Sequence, residues 1–142
     1  MNGDQFFLDT FFAAALLNGR DRHHEQALAW LPRARRARRL LTTECVLIEI
    51  ANTLSAIDRT AAAEYIWNLR RSSNVQLAES KTSLIDRGLA LYEARRDKEW
   101  GLTDCISFVV MEDEGLKDAL TGDRHFEQAG FRALLLEQPP TA

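Results

Sequence analysis

Four acidic residues stand where short apolar runs give out or where helical segments begin. Asp9 closes the run Gln5–Leu8 and lies between Phe6-Phe7-Leu8 and Phe11-Phe12. Carboxylates are rarely buried unless they are paired or bound to a metal, so an acid in this setting calls for a partner. Asp123 follows a later run in Leu120-Thr121-Gly122-Asp123, and Asp104 opens a helical segment in Leu102-Thr103-Asp104-Cys105. Glu49 falls inside the helix after the second run, on the face of Cys45 and Asn52 and opposite Leu47, Ile50 and Leu54. Taken singly, Asp104 and Asp123 have the ordinary explanation of an acid favoured at a helix start, and Glu49 that of a solvated helix residue. Taken together, four acids converging on one sheet edge repel one another unless a cation sits among them. Oxygen-only ligands suit a hard ion, Mg²⁺ or Mn²⁺, and a carboxylate site of that kind can activate water against a phosphodiester.

The elements that would position these acids are legible as an alternation. Strand-type runs occupy Gln5–Leu8, 40–42, Val75–Ala78, 119–121 and 133–136. Between them the periodicity predicts helices over Thr10–Leu17, 23–38, 44–57 with Thr43 as cap, 61–71, 84–95, 103–114 with Thr103 as cap and Gly115 as terminator, and 125–129. Pro32 inside the second helix predicts a kink or break. Strands alternating with helices imply βαβ units and a mostly parallel five-stranded sheet covered by helices, with sites outside the carboxyl ends of the strands.

Four segments carry a family resemblance. They are Phe7-Leu8-Asp9-Thr10, the stretch from Thr42-Thr43-Glu44 to Glu49-Ile50, Asp97-Lys98-Glu99-Trp100-Gly101-Leu102-Thr103-Asp104-Cys105-Ile106-Ser107-Phe108, and Ala119-Leu120-Thr121-Gly122-Asp123-Arg124-His125-Phe126. In this order they resemble the motifs of PIN-domain proteins, and most of all VapC-type toxin ribonucleases, over the chain to about Leu136. The resemblance implies a three-layer α/β/α sandwich, an acidic Mg²⁺/Mn²⁺ site and endonucleolytic cleavage of RNA. By motif position Asp9, Glu49, Asp104 and Asp123 match the catalytic, metal-binding acids. Thr10, Thr103, Ser107 and Thr121 fall beside them as candidate donors that orient the acids. The resemblance further implies a homodimer and, for a toxin, a small cognate antitoxin. Two positions depart from it: Phe11 stands where Asn is frequent and Gly101 where Ser is frequent. Neither removes a carboxylate, but both bear on how the acids are supported and how substrate is met.

The basic residues are uneven. Arg33, Arg35, Arg36, Arg38 and Arg39 form a dense run. It either grips an RNA backbone or is a solvated helix end with cations near a C-terminus. Arg70-Arg71 and Arg95-Arg96 fit the second description better, and Arg124, adjacent to Asp123, is the best single candidate for a phosphate contact. His23, His24 and His125 lack metal-ligand spacing, and His125 reads as a residue that orients structure. Trp30, Trp67 and Trp100 read as core or interface anchors.

Bulk properties set the frame. A chain of 142 residues is one domain, read as residues 1–136 with a flexible tail over 137–142 that holds Pro139 and Pro140. With 46% apolar and 27% charged residues it is globular rather than disordered. A formal net charge of −3 gives no overall nucleic-acid signature. Cys45 and Cys105 are too few for a thiolate zinc site and suit free thiols in a reducing cytosol. No basic leader precedes the first apolar stretch, which Asp9 interrupts, so a cytoplasmic, membrane-free protein is expected. Other readings are a non-catalytic PIN-like RNA-binding module and a housekeeping RNA-processing nuclease. A phosphotransfer domain is disfavoured, because Phe11 occupies the place of the second Asp that haloacid-dehalogenase-like phosphatases need, and the paired acids of a receiver domain are missing.

Overall fold

The computed structural model describes residues 3–140. Along the chain come β1 (Gln5–Leu8), α1 (Thr10–Leu17), α2 (His24–Arg36), β2 (Arg39–Thr43), α3 (Glu44–Leu54), α4 (Arg59–Arg71), β3 (Val75–Ala78), α5 (Thr82–Ala94), α6 (Leu102–Asp113), β4 (Asp118–Leu120), α7 (Arg124–Gln128) and β5 (Arg132–Ala133). The five strands form one sheet in the order β3-β2-β1-β4-β5, and every pairing is parallel. Right-handed crossovers put α1–α4 on one face and α5–α7 on the other. The packing agrees: α1 meets α2 and α3, α3 meets α4, α5 meets α6 and α6 meets α7. The α/β/α sandwich with a parallel sheet is therefore as the sequence implies.

β1 lies at the centre, and Phe6, Phe7 and Leu8 are all buried, the continuous apolar run of a strand covered on both faces. Phe6 meets Trp30 edge-on at 6.1 Å on one face. On the other, Phe108 packs edge-on against Trp100 at 5.0 Å and Phe126 at 4.9 Å. Leaving β1, the chain turns toward β2; leaving β4, it turns the opposite way toward β5. The gap between β1 and β4 is thus the topological switch point, where open parallel sheets place their sites.

Several boundaries differ from expectation for local reasons. Pro32 does not break α2, which runs through it. It lies on the exposed side of the helix, where water can take the place of the helix hydrogen bond that proline cannot make. α3 stops at Leu54, whose carbonyl takes the N–H groups of both Ile57 and Asp58, and Asp58 then caps α4 by accepting from the Ala61 N–H at 3.0 Å. Thr103 is not the cap of α6: Gly101 holds that place, and the Asp104 carboxylate accepts the Gly101 N–H at 3.2 Å. Of the expected fifth strand, 133–136, only Ala133 pairs with β4, together with Arg132 just before it, because the Leu135 N–H turns to the Thr121 carbonyl and winds 134–136 into a short 3₁₀ turn. Glu137, read with the tail, is anchored by Arg132 at 2.6 and 3.0 Å, and its carbonyl accepts from Gln26. Residues 141–142 lie outside the described residues. No helix among the described residues is long and apolar enough to cross a membrane.

Candidate active site

The parallel register sets the first half of the site. Leu8 pairs with Leu120, so Asp9 and Thr121 leave the sheet side by side. The Thr121 hydroxyl donates to Asp9 Oδ2 at 2.8 Å and accepts the Asp123 N–H at 3.1 Å, joining the two strand ends through one oxygen. On the other side of β1 the Thr42 hydroxyl donates to the Leu8 carbonyl at 2.8 Å and fixes the strand just before Asp9. Asp9 is only 4% exposed. Burial pushes its carboxyl up to about 7; the charges of Asp104 and Asp123 add to the rise, against the hydrogen bonds from Thr121 and the Thr10 backbone.

The second half comes from the starts of α6 and α7. Asp104 accepts from Gly101 and lies 3.0 Å from His125 Nδ1. Burial holds its carboxyl above the usual range, and the charge of Asp123 pushes the same way, against His125 and the Gly101 N–H. Asp123 caps α7, accepting the His125 N–H at 2.9 Å, and its Oδ1 is 3.4 Å from His125 Nδ1. One ligand atom each from Asp104, Asp123 and His125 falls within 4.8 Å of the others. Asp9 offers no atom to that group but is coupled to both carboxylates through charge. Glu49 is half-buried on α3 and lies outside the group.

Of the four hydroxyls expected beside the acids, only Thr121 touches one. Ser107 is buried and donates to the Thr103 carbonyl within its own helix at 2.9 Å, and the buried Thr10 hydroxyl makes no hydrogen bond. His125 belongs to the site although its sequence spacing did not announce it. The signal was its place two residues after a capping Asp, where the ring folds back over the helix start.

Arg124 opens α7 with a side chain 77% exposed and lies 3.6 Å from Glu127. The arginine run lies elsewhere. Arg39 begins β2, level with Gln5, so the run occupies the sheet edge opposite the acids. Arg38 is bonded to Asp4, five residues before Asp9 and therefore about 17 Å away along the strand. Arg39 is committed within the fold, to Glu114 at 2.7 Å and Gln76 at 3.1 Å, while Arg35, Arg36 and Arg38 are exposed. Trp30 and Trp100 are buried as core anchors, and Trp67 is exposed beneath Arg71.

The donor set fits a hard divalent cation. Burial, with the charges of neighbouring carboxylates, raises the carboxyls of both Asp9 and Asp104, and a dication is the compensation such a set lacks. The family model of the PIN domain matches residues 6–132. The 23S rRNA-specific endonuclease VapC20 of Mycobacterium tuberculosis, in two strains, is 29% identical over 126 residues, which cover 88% of this chain and 94% of that protein. The crystal structure of VapC20, described as a sarcin–ricin loop cleaving toxin, superposes with a TM-score of 0.81 at 27% identity, covering 90% of this chain and 97% of that one. With a matched segment that runs from within β1 into β5 and includes the carboxylates gathered at the switch point, the chain belongs to the PIN-domain family.

Proposed function

We propose that this chain is a metal-dependent endoribonuclease and the toxin of a type II toxin–antitoxin pair. The observation that carries the reading is the convergence of Asp9, Asp104 and Asp123 at the switch point, two of them held protonation-prone by burial. Likeness to VapC20 over nearly the full length of both proteins supports it and suggests a structured ribosomal RNA as substrate.

In this reading Asp9, Asp104 and Asp123 hold Mg²⁺ or Mn²⁺, with Glu49 as the fourth acid. When bound, such an ion polarises the phosphate and lowers the pKa of a coordinated water. The chain's own residues do the rest. Thr121 donates to one oxygen of Asp9 and so fixes the carboxylate at the strand end. His125 holds Asp104 beside Asp123, as a hydrogen-bonding neighbour orients a ligand. Arg124, exposed at the rim, meets a phosphate of the RNA. Arg35, Arg36 and Arg38, on the far edge, reach only RNA long enough to pass around the sheet. A cognate antitoxin, a homodimer and a cytoplasmic setting complete the proposal.

The test is product mapping on 23S rRNA and on its isolated sarcin–ricin stem-loop. The reading expects one or a few defined cuts with wild type and none with Asp104→Asn. Cutting that survives Asp104→Asn, or no cutting of any RNA by wild type with Mg²⁺ and Mn²⁺, would refute it.

A further inference from the structure

The loop between α1 and α2 is seated against the catalytic strand end by a contact that the functional reading does not use. Gly122, between Thr121 and Asp123, has no room for a side chain: a Cβ there would stand 2.5 Å from Cε1 of Phe11. Phe11 in turn meets the His23 ring edge-on, with centroids 4.8 Å apart. The departure at Phe11 noted in the sequence therefore has a structural consequence. The ring fills the space over Gly122 and ties His23, at the end of the loop, to the residue that precedes Asp123.

The loop is internally braced as well. Asn18 Oδ1 accepts the Arg20 N–H at 3.1 Å, Asp21 Oδ1 accepts the His23 N–H at 2.8 Å, and His24 Nδ1 lies 2.8 Å from the Ala15 carbonyl. Its two arginines, Arg20 and Arg22, are exposed, and among the described residues neither forms an ion pair. The nearest acid in sequence, Asp21, is turned to His23.

RNA affinity is dominated by neutralised phosphates. The carboxylate cleft carries charge of the same sign as the phosphates, and the dense arginine run lies at the wrong edge. Cations must therefore be supplied at the cleft's own rim. We infer that the α1–α2 loop is a phosphate-binding rim of this site, in which Arg20 and Arg22, seated through the Phe11–His23–Gly122 contact, grip the RNA backbone beside the scissile bond. This rests on the ribonuclease reading for the identity of the polyanion, with Arg124 on the other side of Asp123.

The experiment separates the two. Binding of a labelled stem-loop RNA is measured by fluorescence anisotropy across a salt series with Mg²⁺, using cleavage-silenced Asp104→Asn protein with and without Arg20→Ala/Arg22→Ala. Two lost phosphate contacts should lower the slope of log Kd against log salt by about 1.4. Arg20→Lys/Arg22→Lys should restore most of that slope, and the melting temperature should not move, because both side chains are exposed. In the cleavage-competent protein the same Ala pair should raise KM and leave kcat within about twofold. An unchanged salt slope in the Ala pair overturns the rim, whether or not the wild type cleaves RNA. Absence of cleavage by wild type overturns the ribonuclease reading, and the binding slope still decides the rim.

Discussion

Thr121 Oγ1 and Asp9 Oδ2, 112 residues apart in sequence, meet at 2.8 Å in the buried seam between β1 and β4. That one hydroxyl also accepts the Asp123 N–H, so it sets the spacing of two carboxylates. Thr121→Val keeps the shape and removes both bonds. It should cost about 1–3 kcal/mol of stability, push the Asp9 carboxyl higher still and weaken Mg²⁺ binding. Thr121→Ser should restore all three. Calorimetric Mg²⁺ titration and melting of the two variants check this; a Val variant that binds Mg²⁺ like wild type would show that Thr121 is packing alone.

Asp9 predicts a pH dependence of the metal-free fold. Its folded-state carboxyl titrates near 7, against an ordinary value of 3.8. The folded protein keeps a proton that the unfolded chain releases, so the stability linked to this group is complete below about pH 4. It is lost as pH rises toward 7, by on the order of 4 kcal/mol. Denaturant unfolding without metal should show stability falling across that window, and Asp9→Asn should flatten the fall. Saturating Mg²⁺ should flatten it too, by favouring the ionised acid. A metal-free stability that rises between pH 4 and 7 and is indifferent to Asp9→Asn would contradict the burial argument.

Asp104 does two things, capping the Gly101 N–H and facing Asp123. At about 5 Å two carboxylates repel by roughly 3 kcal/mol at an effective dielectric of 20, and His125 offsets part of this. Asp104→Asn retains an oxygen for the cap and removes the repulsion. Without metal the variant should melt above wild type; with Mg²⁺ wild type should gain more, by mass action. Clear destabilisation of the metal-free Asn variant would mean that capping outweighs charge.

Much of this was readable in advance. β1, α1 and β3 sit where alternation and apolar runs place them, and the acids at the strand ends follow from a parallel sheet with its site at the switch point. What was hidden depends on three-dimensional proximity. No spacing tells that Ser107 turns back on its own helix while Thr121 crosses to Asp9, or that His125 folds between Asp104 and Asp123. The arginine run read as one cluster, yet the fold carries it to the far edge and commits Arg39 to Glu114. The short β5 was overestimated because apolar Leu134–Leu136 suits a strand and a buried turn equally.

Gly122 is a strict position for the same reason of proximity. Gly122→Ala would drive a methyl group into the Phe11 ring. It should destabilise by about 1–3 kcal/mol, and Phe11→Leu in the same chain should recover part of the loss. A thermodynamic cycle of the two single variants and the double measures the coupling. Strict additivity would mean that the ring moves aside freely.

The proposed function has Asp9, Asp104 and Asp123 work through a shared divalent ion. Purified protein, stripped of metal and given a structured RNA, should be inert in excess EDTA and should cut when Mg²⁺ or Mn²⁺ is restored. Cleavage undiminished by the chelator would contradict the account.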